Sequence, residues 1–287
     1  MSSRNPNSIL YGVDDVIERW LGIDAKDDYG AGTKKPRYGS TTAAINLSGK
    51  NLKQPFPAKE LLDLISDNWT KGGKQQRSDE NWRWNPKLEM EGNKGEKELE
   101  KIVAFLFGKS SWTNQIPVCS GLMPSGTEEG KRAIDLGRRI SDDEFEFIEL
   151  KFKPGKEGIT GDSHPLYAAL ELLEYGLLYV FARSHKLIKK KTKNHDLSQA
   201  RIVHLVVLGP EPWYQGYDFQ WLSDSINGSL HELLKKDAQF CDLGLEMDFS
   251  FRQLSKNFID SYPLLERAME SFRNDFSEYH EYQPVVK

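Results

Sequence analysis

The sequence has few of the residues that build disulfide or metal frameworks. It contains two cysteines, Cys119 and Cys241, which are too few for a disulfide scaffold or a cysteine-based zinc site. Its six histidines are scattered and form no HxH or HxxxH pair. Glycine motifs of the Walker A or dinucleotide-binding kind are also lacking. The sequence therefore gives no support to a disulfide scaffold, a zinc protein, a P-loop enzyme or a dinucleotide-binding enzyme.

Long hydrophobic runs are lacking as well. The N-terminal stretch MSSRNPNSILYG has no apolar segment of the kind found in signal peptides. The longest apolar run, LLEYGLLYVFA, is interrupted by Glu174 and predicts a buried helix rather than a membrane span. The formal net charge is −4, so nucleic acid would need a local basic groove rather than a positive overall charge. We expect a protein of the reducing cytoplasm, without membrane contact.

Residues 1–94 are predicted to be an accessory region of helices and loops. Apolar residues recur with helical spacing in VDDVIERWL (13–21) and KELLDLISDNW (59–69). Between these segments, a sequence rich in Gly, Lys, Pro and Thr predicts loop, with one short strand at TTAAINL (41–47). Residues 70–94 show no periodicity and combine basic residues with two tryptophans.

Residues 95–210 are predicted to form the core. The predicted elements are a helix at 95–108, strands at 114–121, 131–139 and 144–152, a loop at 153–163, a long helix opened by Pro165, and an apolar strand at 201–209. This order predicts an α/β fold with a mixed central sheet flanked by helices. Residues 211–287 are predicted to be a C-terminal helical extension packed on the core, most clearly at 263–282.

Two carboxylates and a lysine stand in the predicted strands of this core. Glu149 and Lys151 point to the same face of one strand, because side chains alternate along a strand. A hairpin with the preceding strand would bring Asp135 beside Glu149. Two adjacent carboxylates repel each other unless a cation lies between them, and hard oxygen ligands suit Mg²⁺. The competing interpretation is a half-exposed structural hairpin with a surface Glu–Lys pair.

The pattern D-x(13)-ExK, in this order of elements, resembles the PD-(D/E)XK nuclease superfamily over roughly residues 95–209. The resemblance implies the restriction-endonuclease-like fold, with N-terminal and C-terminal helical additions here. It implies Mg²⁺-dependent hydrolysis of phosphodiester bonds. The class of enzyme that it favours is a DNA endonuclease of restriction or defence type. Mn²⁺ is expected to substitute for Mg²⁺. A homodimer is expected if both strands of a duplex are cut.

The resemblance also assigns roles to residues. It implies metal binding by Asp135, Glu149 and the backbone carbonyl of Leu150, and orientation of the attacking water by Lys151. A further acidic residue on the first core helix is expected at Glu100, within GEKELEKIVAFL, with Glu96 as the alternative.

The sequence departs from the family's pattern at two places. Ile134 stands where the family often has proline. Glu171-x-x-x-Tyr175 stands where some branches have Gln-x-x-x-Tyr. Glu171 and Glu174 could reach the metal site or a neighbouring basic group. The competing interpretation is that they lie on a helix face that borders solvent.

Six residues are candidates for contacts with nucleic acid. Basic residues interleaved with tryptophan suit phosphate neutralisation and base stacking, and a lysine run suits salt-dependent phosphate binding. The candidates are Arg77, Arg83, Trp84, Arg132, Lys190 and Lys191. The competing interpretations are a loop anchored by buried tryptophans, a solvated lysine-rich loop and exposed charges at strand ends.

Two other functions compete with the nuclease. One is a catalytically inactive subunit on the same fold that binds nucleic acid or assembles with protein, which metal-dependent cleavage would exclude. The other is a protein–protein module that binds no nucleic acid even at low salt. His164, just before the long helix, and His204, in the apolar strand, are expected to be the histidines nearest the proposed site. His204 is expected to be a core histidine with satisfied hydrogen bonds.

Overall fold

The central element of the fold is a mixed β-sheet. In the computed structural model, residues 4–23, 36–86, 95–106, 111–124, 132–155, 158–189, 197–254 and 280–281 are described. Within these ranges the sheet has six strands, side by side in the order β1 (Trp112–Pro117), β2 (Ala133–Arg139), β3 (Glu144–Leu150), β6 (Ile202–Pro210), β7 (Glu246–Leu254) and β8 (His280–Glu281). A separate two-stranded hairpin consists of β4 (Lys153–Gly155) and β5 (Gly158–Thr160).

Seven helices surround the sheet in the described part of the chain. They are α1 (Val13–Leu21), α2 (Thr41–Leu47), α3 (Ala58–Lys71), α4 (Glu96–Leu106), α5 (Pro165–Ser184), α6 (Glu211–Tyr214) and α7 (Gln220–Lys236). Strands β1, β2 and β3 pair antiparallel, whereas β3, β6 and β7 pair parallel. A parallel pair needs a crossover connection, and α5 lies in the connection between β3 and β6.

The two faces of the sheet are covered by different helices. On one face, α5 packs so closely that a Cβ atom on Gly176 would come within 2.6 Å of Leu205 on β6. On the other face, Leu99 and Val103 of α4 join a cluster with Ile148 and other apolar residues of the sheet. By length and composition α5 would also suit a membrane span, but 89% of its most apolar window is buried inside the protein. It is therefore the core helix of a globular α/β fold.

Most of the predicted elements are confirmed. The helices at 13–21 and 59–69, the first core helix, the hairpin strands, the helix that starts at Pro165 and the apolar strand all occur. The first core strand begins earlier than predicted, at Trp112, and ends at Pro117. Helices of the first 94 residues share one continuous hydrophobic cluster with α5 and the sheet, so this region packs directly on the core.

The strand predicted at 41–47 is wrong, because these residues form α2. Ser40 caps the helix, since its side-chain oxygen accepts a hydrogen bond from the Ala43 backbone N–H at 3.1 Å. Ala43, Ala44 and Leu47 then lie buried on one side of the helix. The capping serine and the alanine-rich composition outweigh the β-branched residues.

Two other regions also differ from the prediction. Residues 153–163 contain the β4–β5 hairpin rather than only loop. Residues 211–287 are not helical throughout, because β7 joins the central sheet beside β6. Met247, Phe249 and Phe251 alternate with polar residues there, which is the pattern of a strand. The helix predicted at 263–282 lies outside the described residues, except for 280–281, which form β8.

The packing of Trp213 gives a test of the fold by a pair of glycine substitutions. A Cβ atom on Gly161 would lie 2.6 Å from the Trp213 ring, which is buried and donates its Nε1 hydrogen to the Ser163 carbonyl at 3.1 Å. We expect Gly161→Ala to lower the free energy of unfolding by about 1–3 kcal/mol through overpacking. The matched change Gly228→Ala, in α7 with no atom within 4 Å, should raise it by about 0.5–1 kcal/mol.

Urea unfolding of both variants measures these changes. A Gly161→Ala protein as stable as the wild type would show that the Trp213 ring is free to shift, contrary to the packing described.

Candidate functional site

The candidate site lies where β2 begins and β3 ends. The strands pair with Leu136 opposite Ile148, and one further step of this register places Asp135 opposite Glu149. Asp135 Oδ2 accepts a hydrogen bond from the Leu150 backbone N–H at 3.0 Å, which fixes the carboxylate against the end of β3. The predicted hairpin and the proximity of the two acids are thus confirmed.

Lys151 is buried directly after the end of β3, beside Glu149. Its Nζ atom is 2.5 Å from Glu149 Oε1, and its backbone N–H donates to the Leu208 carbonyl at 2.9 Å. Glu149 and Lys151 are only 3% and 8% exposed. The interpretation of this hairpin as half-exposed, with a surface ion pair, is therefore wrong.

Two acids of α4 complete a carboxylate cluster with Asp135. Glu96 and Glu100 are four residues apart and therefore share one face of the helix. One oxygen atom each of Glu96, Glu100 and Asp135 lie within 4.8 Å of one another, a spacing that would allow a shared metal ion. Glu100 was predicted here with Glu96 as an alternative, and the structure brings both to Asp135.

Each of the two α4 acids is held by a hydrogen bond. Glu96 Oε2 accepts from the Phe152 backbone N–H at 3.0 Å. Glu100 Oε2 accepts from Gln115 Nε2 at 2.6 Å. Gln115 has a φ of +52° in the middle of β1, a conformation that interrupts the regular alternation of the strand. Gln115 was not predicted, because a left-handed glutamine inside a strand has no signal in the sequence.

Helix α5 contributes a further acid from the other side of Lys151. Glu171 Oε2 and Glu96 Oε1 each lie 4.0 Å from Lys151 Nζ, and Tyr175 donates its hydroxyl hydrogen to Glu171 Oε1 at 3.2 Å. The Glu171 side chain is 23% exposed, so it borders solvent as expected, and its carboxylate also faces the buried lysine. The Glu171–Tyr175 spacing places both side chains at the site.

Burial and mutual repulsion shift the titration of these groups. Burial, and then repulsion by Asp135, raises the pKa of Glu100 to about 9. Burial raises the pKa of Glu96 to about 7 and that of Asp135 to about 6, although the Lys151 ammonium opposes both shifts. Burial alone would lower the pKa of Lys151, but the carboxylates of Glu149 and Asp135 raise it well above its ordinary value.

The cluster therefore holds more negative charge than its lysine balances. Burial and repulsion by Asp135 raise the pKa of Glu149 well above its usual range. Its Oε2 atom is buried and has no hydrogen-bond partner among the described residues. An unpartnered buried oxygen beside other carboxylates suits a hard divalent cation such as Mg²⁺.

The tryptophan predicted to stack on nucleic-acid bases is buried instead. Trp84 is 6% exposed, and its ring packs against Phe145 at 5.5 Å between ring centroids. Trp82 similarly packs between Phe147 and Tyr179. The prediction of base stacking by Trp84 is wrong, because these rings anchor their loop on the face of the sheet.

The basic candidates for nucleic-acid contact have different environments. Arg77 is exposed and donates to the Gly72 carbonyl at 3.0 Å, and Arg83 is exposed and lies 3.9 Å from Glu80. Arg132 is half-buried, and the charges of Glu174 and Arg4 act on it. These three contacts with nucleic acid stay predictions. Lys190 and Lys191 lie outside the described residues.

His204 is satisfied, as predicted, but it lies away from the site. Its ring nitrogens are hydrogen-bonded to Asp248 at 2.8 Å and Glu144 at 2.9 Å. The hydrogen bond to Asp248 raises the pKa of His204 to about 9. His204 pairs with Glu146, near the start of β3, whereas the site is at its end. His204 and the site therefore lie towards opposite ends of β3.

The raised pKa of Glu100 predicts how the stability of the metal-free protein changes with pH. The folded protein holds this proton more tightly than the unfolded chain, so stability falls as the pH rises from about 4.5 towards 9. Glu100→Gln should remove this loss of stability, because the amide carries no proton to release. In EDTA we expect the variant to be more stable than wild type by about 2–4 kcal/mol at pH 8, with the difference vanishing near pH 4.5.

Urea unfolding at pH 5, 6.5 and 8 in EDTA measures the difference. The control Glu232→Gln changes an acid on α7 whose side chain is 62% exposed, and we expect no such trend for it. A constant difference between wild type and Glu100→Gln at all three pH values would contradict the prediction.

The sequence was also compared with known proteins. None of the family models, curated proteins or solved structures matches it. The interpretation of the cluster therefore rests on its own geometry and chemistry.

Proposed function

We propose that this protein is a Mg²⁺-dependent nuclease that hydrolyses phosphodiester bonds, most of all in DNA. The observation that carries the proposal is the convergence of Asp135, Glu149 and Glu96 on the buried ammonium group of Lys151, with Glu100 beside Asp135 and Glu96. The resemblance of the D-x(13)-ExK pattern to the PD-(D/E)XK superfamily supports the same chemistry. The proposed fold is accordingly the restriction-endonuclease-like form of the α/β fold described above.

Asp135 and Glu149 are the proposed metal ligands, together with the carbonyl oxygen of Leu150. The Leu150 N–H is directed at Asp135, and the N–H and C=O of one strand residue point to the same neighbouring strand. The carbonyl therefore shares a side with the Asp135 carboxylate. When bound there, Mg²⁺ would polarise the phosphate and lower the pKa of a bound water. Mn²⁺ is expected to replace it.

Lys151 is proposed to orient the attacking water and to stabilise the negative charge that develops on the phosphate. Its raised pKa keeps the side chain cationic, so it acts as a hydrogen-bond donor and a positive charge rather than as a base. Glu149 pairs with the ammonium group, while Glu96 and Glu171 flank it at 4.0 Å. These acids hold the long side chain in one position.

Glu100 and Glu96 are proposed to hold a second metal ion or a water molecule beside the first. One carboxylate oxygen of each lies within 4.8 Å of an Asp135 oxygen, a spacing that would allow either role. The raised pKa of Glu100 means that a cation must displace a proton from this group at neutral pH. Metal affinity should consequently rise with pH.

The proposed setting is the cytoplasm, in restriction or another defence against foreign DNA. Surface arginines such as Arg77 and Arg83 are the proposed contacts to phosphates, with Arg132 nearer the interior. A homodimer would supply the two sites that cleavage of both strands needs.

Cleavage assays with matched variants test the function. Wild type should cut plasmid or single-stranded DNA in Mg²⁺ or Mn²⁺ and not in EDTA. We expect Asp135→Asn and Lys151→Met each to lower the cleavage rate by about 100-fold or more, because each removes a group that stabilises the transition state. Lys235→Met, on α7 with a 44% exposed side chain, is the control and should leave the rate unchanged.

The other functions give different results in the same assay. Metal-independent binding of DNA with no cleavage by wild type would indicate the catalytically inactive subunit. Neither cleavage nor binding at low salt, with DNA and RNA both offered, would indicate a protein–protein module and refute the nuclease.

A further inference from the structure

A second buried cluster of charges lies beside α5. Arg4 donates from Nε and Nη2 to the two carboxylate oxygens of Asp14, both at 2.9 Å. The same Nη2 atom lies 2.5 Å from Glu174 Oε1, on α5. The Tyr38 hydroxyl donates to Asp14 Oδ1 at 2.8 Å and lies 3.3 Å from Glu174 Oε1. Two separate segments of the chain therefore meet Glu174 of α5, through Arg4 and Tyr38, and Asp14 joins them to α1. The prediction that Glu174 borders solvent is wrong.

The cluster is deeply buried. The side chains of Asp14 and Glu174 are each 2% exposed, and that of Arg4 is 11% exposed. Burial raises the pKa of Glu174 to about 7, even though the Arg4 guanidinium opposes the shift. Buried ion pairs of this kind gain little net stability over apolar packing, because the charges lose their hydration. The planar guanidinium of Arg4 instead fixes the relative positions of Asp14 and Glu174, because its N–H groups point in set directions.

That geometry matters because of what lies next to Glu174 on the helix. Glu171 precedes it by three residues, and residues three apart are neighbours on a helix surface. Glu171 lies 4.0 Å from the Lys151 ammonium, and Tyr175, next to Glu174, donates to Glu171. A small rotation of α5 would therefore move the Glu171 carboxylate relative to Lys151.

Most side chains of α5 close to Glu174 are apolar and buried, among them Leu172, Leu173 and Gly176. The hydrogen bonds to Glu174 are directional, and they come from the N-terminal segment and from the turn that contains Tyr38. Nearer the C-terminal end of α5, Tyr179 and Arg183 make further directional contacts, to the carbonyls of Leu197 and Ala200. The bonds to Glu174 therefore add to close packing and define the orientation of the helix next to Glu171.

We propose that Arg4 and Glu174 are positioning residues of the nuclease site: they fix the rotation of α5, so that Glu171 holds Lys151 in its working position. This inference rests on the proposed function. It makes the N-terminal region, which was expected to be accessory, a structural part of the catalytic apparatus, although neither Arg4 nor Glu174 touches substrate.

A double-mutant cycle tests the inference. Glu174→Gln keeps the size of the side chain and leaves Arg4 paired with Asp14, so the variant should fold. We expect its kcat for metal-dependent cleavage to fall about tenfold with KM nearly unchanged, because a slightly misplaced catalytic group costs rate rather than binding. Glu171→Gln should show a similar loss, and the double variant should be no slower than Glu171→Gln alone.

Three further variants separate positioning from general damage. Arg4→Met should lower kcat, and Arg4→Lys should recover part of it because the positive charge is retained. Glu232→Gln, the exposed control on α7, should cleave at the wild-type rate. Melting temperatures of all variants show whether a loss of rate merely follows a loss of fold.

The outcomes distinguish this inference from the proposed function. Cleavage by wild type with an unchanged kcat in Glu174→Gln, or losses that multiply in the double variant, would overturn the positioning role alone. A wild type that cleaves nothing would overturn the proposed function and the catalytic role together. Amide hydrogen exchange would then still test whether Arg4 and Glu174 hold α5 in place. Equal exchange along α5 in wild type and in Glu174→Gln would refute that role.

Discussion

The burial of one ammonium group among carboxylates is the constraint on which the rest of the site depends. Removing an ion from water costs several kcal/mol per charge in a folded protein unless partners replace the water. Lys151 has such partners from three elements: Glu149 from β3, Glu96 from α4 and Glu171 from α5. The end of β3, the start of α4 and the first half of α5 must therefore meet at one point. The two helices cover opposite faces of the sheet, and this requirement brings one part of each to the end of β3.

The parts of the site that follow from local periodicity could be predicted from the sequence. Alternation along a strand puts Glu149 and Lys151 on one face, and hairpin register puts Asp135 beside them, as the structure has it. Glu100 was favoured over Glu96 for the acid of α4, but the structure brings both to Asp135, because residues four apart share one side of a helix. Gln115 could not be predicted at all, because its role depends on a φ of +52° that no sequence pattern indicates.

The errors in the fold have a common physical origin. Trp84 lies among basic residues, which suggested a contact with nucleic acid, and the region of β7 was predicted as part of a helical extension. Tertiary packing overrides this impression, because Trp84 finds Phe145 on the sheet face and β7 finds β6 as a neighbour. Likewise α2 replaces a predicted strand because a cap at Ser40 and packing of its alanines decide the outcome. For Trp84 and β7, composition misled because contacts distant in sequence decide the structure, whereas for α2 the local cap at Ser40 contributes as well.

The charge of the site also bears on how a polyanionic substrate can enter it. The described part of the site holds a single lysine and five carboxyl groups, those of Glu96, Glu100, Asp135, Glu149 and Glu171. When ionised in a medium of low dielectric constant, this excess of acid repels phosphate. Burial first, and repulsion among the acids after it, raise the pKa values of Glu96, Glu100 and Asp135. Protons can neutralise the acids, but a neutral carboxyl group offers a phosphate oxygen only a hydrogen bond and no positive charge. A divalent cation would neutralise the acids and also attract phosphate, because it binds the shared oxygens and keeps open positions for phosphate oxygens. On this electrostatic ground, binding of metal and productive binding of nucleic acid are a single coupled event in the proposed mechanism, rather than two independent steps.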